Sequence, residues 1–277
     1  MIDLHMHSVA SDGTDTLEQL LQNVRKAGID TFSVTDHDTI EGALAMQKLV
    51  RNTPLRFTLG IEFSCKHEAE KYHILGYDFD PSNALFRETI EEGIRFRRNN
   101  AVIRLNWLKE TKGIDFGKET EAALLANPTV GKPHIAMELV KRGIAKDVDD
   151  GCEYLQVETP RLKLEVSQAV QAIHAAGGIA VWAHPLGGDG EPKKSESYFR
   201  ELLAKVLPLG IDGLECYYGI YTEPQIDCLV RATEEYGLLR SGGSDYHGSV
   251  KNVALGNTGD KPWEEKDFSI VSRLFPN

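Results

Sequence analysis

The sequence predicts an α/β fold, a barrel carrying one mainly helical insertion, and three observations predict it. Short apolar runs of strand length alternate with segments whose apolar residues recur at helical spacing. Side chains able to bind metal gather at the ends of six of those runs. A block over residues 81–160 breaks the alternation and reads as mostly helical; 277 residues suit one α/β barrel with such an insertion.

The first run, MIDLHMHSVASDG, puts His5 and His7 two residues apart. On a strand they share one face while Leu4 and Met6 point the other way into packing. Asp12 follows just beyond. A lone His-x-His pair is weak evidence for a metal site, because two such histidines can simply be solvated. The helix expected next is LEQLLQNVRKAG. The second run, TFSVTDHDT, ends in Asp36, His37 and Asp38. Asp38 or Thr39 can cap the helix expected from Ile40, but capping leaves His37 unexplained.

Further along, RFTLGIEFS carries Glu62, KYHILGYDF carries His73, and GGIAVWAHP carries His184 beside Pro185. The last run, LLRSGGSDYHG, supplies Asp245 and His247 after Gly242 and Gly243, which let backbone approach a crowded site. The segments SQAVQAIHAAGG and EPQIDCLVRATEEYG supply the intervening helical spacing. Six segments thus hold nine candidate ligands, including six of the nine histidines. Chance rarely places them so, and a polynuclear metal site is the expectation. Mixed imidazole and carboxylate donors suit manganese, iron or zinc better than calcium, which prefers oxygen.

Within the insertion, LFRETIEEGIRFRRNNAVIRLNWLKETKG reads as a long helix ending near Gly113. KPHIAMELVKRG reads as another, with Pro133 near its start and Gly143 beyond its end. Such an insertion could cover the metal cleft as a substrate cap. Lys132 and His134 start a helix, where free N–H groups favour a phosphate, and are the candidate substrate contacts. A cluster such as Arg95, Arg97, Arg98 and Arg104 on a polar helix face is more often solvated or salt-bridged, and that reading is preferred. His67, His174 and the four cysteines are expected to be structural. There is no G-x-x-x-x-G-K-[ST] loop to support a kinase or ATPase.

The charged fraction of 26% and hydrophobic fraction of 41% describe an ordinary globular chain without an apolar run long enough for a membrane span. A net charge of −11 disfavours a broad surface for duplex DNA. A cleaved leader would remove His5, and Cys65, Cys152, Cys216 and Cys228 form no close pair, so a reducing cytoplasm is expected.

HMHS, TDHD, the Glu62 strand, AHP and SDYHG resemble the successive motifs of the PHP family, named for polymerase and histidinol phosphatase. The resemblance runs nearly end to end. It implies a distorted (β/α)7 TIM-like barrel, residues 1–80 and 161–277, with the insertion at 81–160. It further implies two to three divalent ions: one among His5, His7, Glu62 and Asp245, a second shared by Glu62 with His73 and His184, and a third at Asp12, His37 and His247. HSVASDG, AAGGIAVWAHP and KPHIAMELVKRG more narrowly resemble the phosphoesterases that include nucleoside 3′,5′-bisphosphate phosphatases and 5′-to-3′ exoribonucleases.

The expected activity is hydrolysis of a phosphomonoester by water activated on the metal, with no protein proton donor assigned. A nucleoside 3′,5′-bisphosphate, cut to the 5′-monophosphate, is the preferred substrate, with short RNA next. Histidinol phosphatase ranks lower, since that enzyme often carries histidine where this chain has Asp12. A metal-binding module without turnover ranks lower too, because all nine donor types are present. GCEYLQVETPRLK departs from a family segment that often holds a glycine-rich turn, which bears on substrate rather than metal.

Overall fold

The computed structural model describes residues 1–157 and 162–276. In chain order the elements are β1 (Ile2–Asp3), α1 (Leu17–Lys26), β2 (Thr31–Val34), α2 (Glu41–Val50), β3 (Arg56–His67) and β4 (Glu70–Tyr77). Four helices follow: α3 (Ala84–Lys112), α4 (Lys118–Ala126), α5 (Lys132–Lys141) and α6 (Val148–Glu153). The chain then continues through β5 (Leu164–Glu165), α7 (Val166–Ala175), β6 (Ile179–Trp182), α8 (Glu196–Val206) and β7 (Gly213–Tyr218). It ends with α9 (Glu223–Tyr236), β8 (Leu239–Gly243) and α10 (Val271–Leu274).

Helix ends follow local chemistry. Thr16 and Gln19 close a capping box on α1, Asn83 accepts from Phe86 N to start α3, and Gly113 ends α3 in the left-handed region at φ 67°. Helix α2 begins at Glu41, whose N–H donates to Thr39 Oγ1. Asp38, the other candidate cap, instead accepts from Ser64 N and from Arg97, so it belongs to the barrel mouth rather than to the helix start.

The strands are ordered β1-β2-β3-β4-β6-β7-β8, with β5 branching from β3. Residues in and just beyond the two end strands complete a nearly closed barrel: Leu4 N donates to Gly242 O, Asp245 N to His5 O and His7 N to Tyr246 O. The buried Asp3 carboxylate reinforces that seam by accepting from Ser244 N, Ser244 Oγ and Gly256 N at 3.0, 2.6 and 2.8 Å. Tyr77 OH donates to Leu4 O at 2.9 Å from the facing wall.

Strand β4 runs antiparallel to both β3 and β6, whereas the other neighbours along that path are parallel. The expectation that donors gather at the ends of the runs is corrected for two of them. His73 is the fourth residue of β4, in its N-terminal half, and Glu62 lies midway along the long strand β3. An inverted strand brings its N-terminal half to the end where parallel strands bring their C-termini.

Helices α3 to α6 occupy the span between β4 and β5. The first turns of α3 pack Phe86 and Ile90 into the barrel core, while Leu105 and Leu108 join Ile135, Leu139 and Leu155 in a separate small core. One long helix therefore belongs to both bodies. The boundary expected at 160/161 and part of the departing segment GCEYLQVETPRLK lie outside the described residues. Among the described residues no helix is long and apolar enough to cross a membrane.

The seam is tight at Gly243, where an added Cβ would lie 2.4 Å from His5 N and 2.8 Å from His5 Cα. Both are atoms of the chain rather than the end of a flexible side chain. Gly243→Ala is expected to lower unfolding stability by about 2 kcal/mol, the scale of core overpacking, as read by urea denaturation. An unchanged midpoint would contradict a seam closed at this position.

Candidate metal centre

Glu62 stands at the middle of the site, 1% exposed, with five imidazoles around its two oxygens. Its Oε2 lies 3.3 Å from His5 Nε2, 3.1 Å from His7 Nε2 and 3.1 Å from His37 Nδ1. Its Oε1 lies 2.9 Å from His73 Nδ1 and 3.4 Å from His184 Nε2. Asp245 Oδ1 sits 3.3 Å from both His5 Nε2 and His7 Nε2. Asp12 meets His247 Nε2 at 3.5 Å, His7 Nδ1 at 3.7 Å and His37 Nε2 at 3.8 Å.

The nine expected donors are therefore neighbours, and three overlapping sets have donor atoms within 4.8 Å of one another. They are His5, His7, Glu62 and Asp245; His7, Asp12, His37 and His247; and His37, Glu62 and His73. His7 joins the Asp12 set and His37 joins the Glu62 and His73 set, so the grouping shares imidazoles that the family pattern assigned once. His184 is beside the third set, 3.2 Å from His73.

The donors fit divalent cations for a reason visible in their orientation. Asp12 Oδ1, His37 Nδ1 and Glu62 Oε2 are buried without a hydrogen-bond partner, although nitrogen and oxygen atoms crowd round them at contact distance. Buried polar atoms left this way are costly unless something else satisfies them. Lone pairs here converge on shared space rather than on one another's protons, as cation ligands do.

Outer partners fix which ring nitrogen faces inward. His5 Nδ1 donates to Glu215 Oε1 at 2.9 Å, leaving Nε2 for the centre. Glu215 Oε2 also accepts from His184 N at 2.7 Å. His247 Nδ1 donates to Asp245 O at 2.8 Å, and His7 Nδ1 meets Ser11 Oγ at 3.3 Å. Asp245 Oδ2 accepts from Tyr218 OH and Lys251 Nζ at 2.8 and 2.6 Å. Asp38, His184 and Asp245 hold positive φ angles of 52°, 31° and 55°, so backbone strain is concentrated where side chains are aimed inward.

Burial pushes the Glu62 carboxyl towards the neutral form, but the imidazoles around it, His37, His5 and His73 foremost, hold it well below the usual range. Burial also favours the neutral form of His7, yet the Asp245 and Glu62 carboxylates beside its ring win and raise its pKa to about 9. His5 is likewise raised, its burial outweighed by Glu215, Glu62 and Asp245. Protons on His5 and His7 thus compete with cations for those rings, whereas burial pulls His37, His73 and His247 below the usual range and leaves their lone pairs open.

The centre opens into a cleft of about 910 Å³. Asp12, His37, His73 and His247 reach it from the centre, and Lys71, Arg97, Arg104, Lys132 and Lys163 reach it from the walls. Arg97 pairs with Asp38 and donates to Ser64 Oγ at 2.7 Å. Arg95 and Arg98 are exposed, so the expected solvated reading describes them, whereas Arg97 and the buried Arg104 face the cleft. Burial pulls the Lys163 ammonium down to about 8.

Lys132 lines the cleft. His134 sits behind the lining, with Gly131 N donating to its Nδ1 at 3.0 Å and its Nε2 at 2.9 Å from Ser11 O. His174 pairs with Asp212 on the surface, and Cys65, Cys216 and Cys228 are buried. Cys152 borders the cleft, and burial raises its thiol pKa. Sequence reasoning missed Glu215, Lys163 and Lys251. A carboxylate inside the apolar run GLECYY was a readable signal for the first; the two lysines carried none.

A sequence model of the PHP domain matches residues 3–176. A 5′-3′ exoribonuclease of Haemophilus influenzae is 31% identical over 279 residues, covering 99% of this chain and 96% of that protein. A 3′,5′-nucleoside bisphosphate phosphatase of Chromobacterium violaceum is 26% identical and covers 98% of each. Among solved structures, an amidohydrolase from Chromobacterium violaceum, with sulfate bound and no metal, shares the fold at a TM-score of 0.84 and 25% identity. That alignment covers 99% of this chain and 95% of that one.

Two outcomes follow from the geometry. Glu215→Gln, which removes the charge behind His5, is expected to weaken Mn²⁺ binding about tenfold by calorimetric titration; undiminished affinity would contradict the orienting role. An imidazole must lose its proton to bind a cation, and His7 keeps its proton until about pH 9. Mn²⁺ affinity is therefore expected to keep rising from pH 6.5 towards 9, and a plateau reached by pH 7 would contradict the protonation described.

Proposed function

The chain belongs to the PHP domain family and is a metal-dependent phosphoesterase, and on that premise we propose that it hydrolyses a phosphomonoester of a small nucleotide. The preferred substrate is a nucleoside 3′,5′-bisphosphate, which loses its 3′-phosphate to give the 5′-monophosphate and phosphate. The observation that carries this reading is the single cleft joining the nine-donor cluster to a band of lysine and arginine side chains. Its volume of about 910 Å³ falls within the range of small-molecule sites.

In this reading His5, His7, Asp12, His37, Glu62, His73, His184, Asp245 and His247 would hold two to three divalent ions, of manganese, iron or zinc. Such ions, when bound, supply positive charge to the phosphoryl group and acidify water. The chain's own residues do the rest. Lys163 and Arg104 offer positive charge on the cleft wall for a second phosphate, and Lys132 offers it at the start of α5. Helices α3 and α5 form part of the cleft wall beside the cluster. Lys251 and Tyr218 hold Asp245 through its outer oxygen and leave Oδ1 directed at His5 and His7.

Short RNA is the second reading, favoured by the exoribonuclease relative that matches nearly the whole chain. It needs the same cluster acting on a phosphodiester. The substrate class separates the two. Manganese-loaded protein is expected to release phosphate from adenosine 3′,5′-bisphosphate and yield 5′-AMP faster than it acts on 3′-AMP, 5′-AMP, histidinol phosphate or a short RNA. Cleavage of RNA alone would replace the first reading by the second, and inertness to every substrate at full metal loading would overturn both.

A further inference from the structure

Asp12 differs from the other two carboxylates of the cluster in how it is held. Asp245 is tied by Tyr218 and Lys251, and Glu62 projects from the interior of a long strand. Asp12 sits on a loop, its buried Oδ1 has no hydrogen-bond partner, and it meets the surrounding imidazoles at 3.5 to 3.8 Å. Its position is therefore set by the backbone of the loop that carries it.

That loop is gripped from two sides. On the barrel side, the buried Asp36 carboxylate accepts from Ser8 N, Ser8 Oγ and Ser11 Oγ at 2.8, 2.7 and 2.6 Å. On the cap side, two carbonyls of the loop are met by residues of the insertion. Thr129 Oγ1 shares its one proton between Ala10 O at 3.0 Å and Asn127 Oδ1 at 2.9 Å, and His134 Nε2 lies 2.9 Å from Ser11 O and 3.0 Å from Asn127 Nδ2. Gly131 N donates to His134 Nδ1, so the neutral ring carries its proton on Nε2 and gives it to Ser11 O. Thr129 is 1% exposed, and its backbone N–H is held by Asn127 Oδ1 at 2.9 Å. Both groups thus come from a firmly built segment, and His134 has no ring nitrogen left for a substrate phosphate.

We propose that His134 and Thr129 are positioning residues: the helical cap clasps the Ala10–Ser11 backbone and thereby sets Asp12 among His7, His37 and His247, completing that cation subsite. The same insertion that walls the substrate cleft then also governs part of the metal centre. The inference rests on the metal-centre reading above, and its test needs no substrate.

Metal-free protein titrated with Mn²⁺ provides the test. Asp12→Ala identifies the binding class that depends on this subsite by abolishing it. His134→Ala and Thr129→Val are each expected to weaken that class about tenfold and to leave the remaining binding unchanged, the scale seen when support behind a ligand is removed. Thr129→Ser, which keeps the hydroxyl, is expected to restore it. Thr129→Val tests the clasp even where His134→Ala disturbs the start of α5. Unchanged binding in both variants would overturn the clasp, and so would an equal loss across every class, which marks general destabilisation. A raised KM for a phosphate ester with Mn²⁺ affinity intact would make His134 a substrate contact instead. Failure of the unmodified protein to bind Mn²⁺ at all would overturn the metal-centre reading itself.

Discussion

A carboxylate buried to 1% exposure among five imidazoles is the constraint to which the rest of the molecule answers. Removing one carboxylate from water costs several kcal/mol unless opposite charge and well-placed donors repay it. Glu62 has two close carboxylate companions, Asp12 and Asp245, which share its histidines. Cations between them would convert mutual repulsion into shared ligation. The fold supplies the frame for this by closing β1 against β8, which brings His5 and His7 within reach of Asp245 and His247 from the far end of the chain.

Around that inner set stands a second layer of buried acids. Asp3, Asp36 and Glu215 have no measurable exposure, and each accepts several N–H or O–H groups rather than facing the centre. Asp3 sews the seam, Asp36 secures the loop before Asp12, and Glu215 orients His5 while pinning His184 N. Positive φ at His184 and Asp245 belongs to the same scheme: the surrounding hydrogen bonds hold backbone conformations that these residues would otherwise avoid. The small core of the insertion is separate from the barrel's, and Arg97 with Asp38, together with the clasp on residues 10 and 11, ties the two bodies at the cleft.

Much of the inner set could be read from the chain because its signals are local. His5 and His7 declare themselves by a spacing of two, and Asp245 and His247 by following two glycines that the crowded seam requires. The alternating class of fold and the helical block were legible for the same reason. Strand direction was not: period-two alternation reads the same both ways, so the inversion of β4 and the place of His73 on it had no sequence signal. The partners of the outer acids were hidden by distance, since Glu215 meets His5 across 210 residues and Asp3 meets Ser244 across 241. His134 was read from its helix-start position alone, and its contact with Ser11, 123 residues earlier, becomes visible only in the folded chain.

The central claim is that the space bounded by Glu62, Asp12 and Asp245 is occupied by cations when the protein works. Anomalous diffraction at the manganese edge from crystals grown with Mn²⁺ tests it most directly. The account predicts strong peaks inside this cluster, one of them shared through Glu62. A fully ordered cluster with no anomalous peak, or peaks confined to the protein surface, would contradict it.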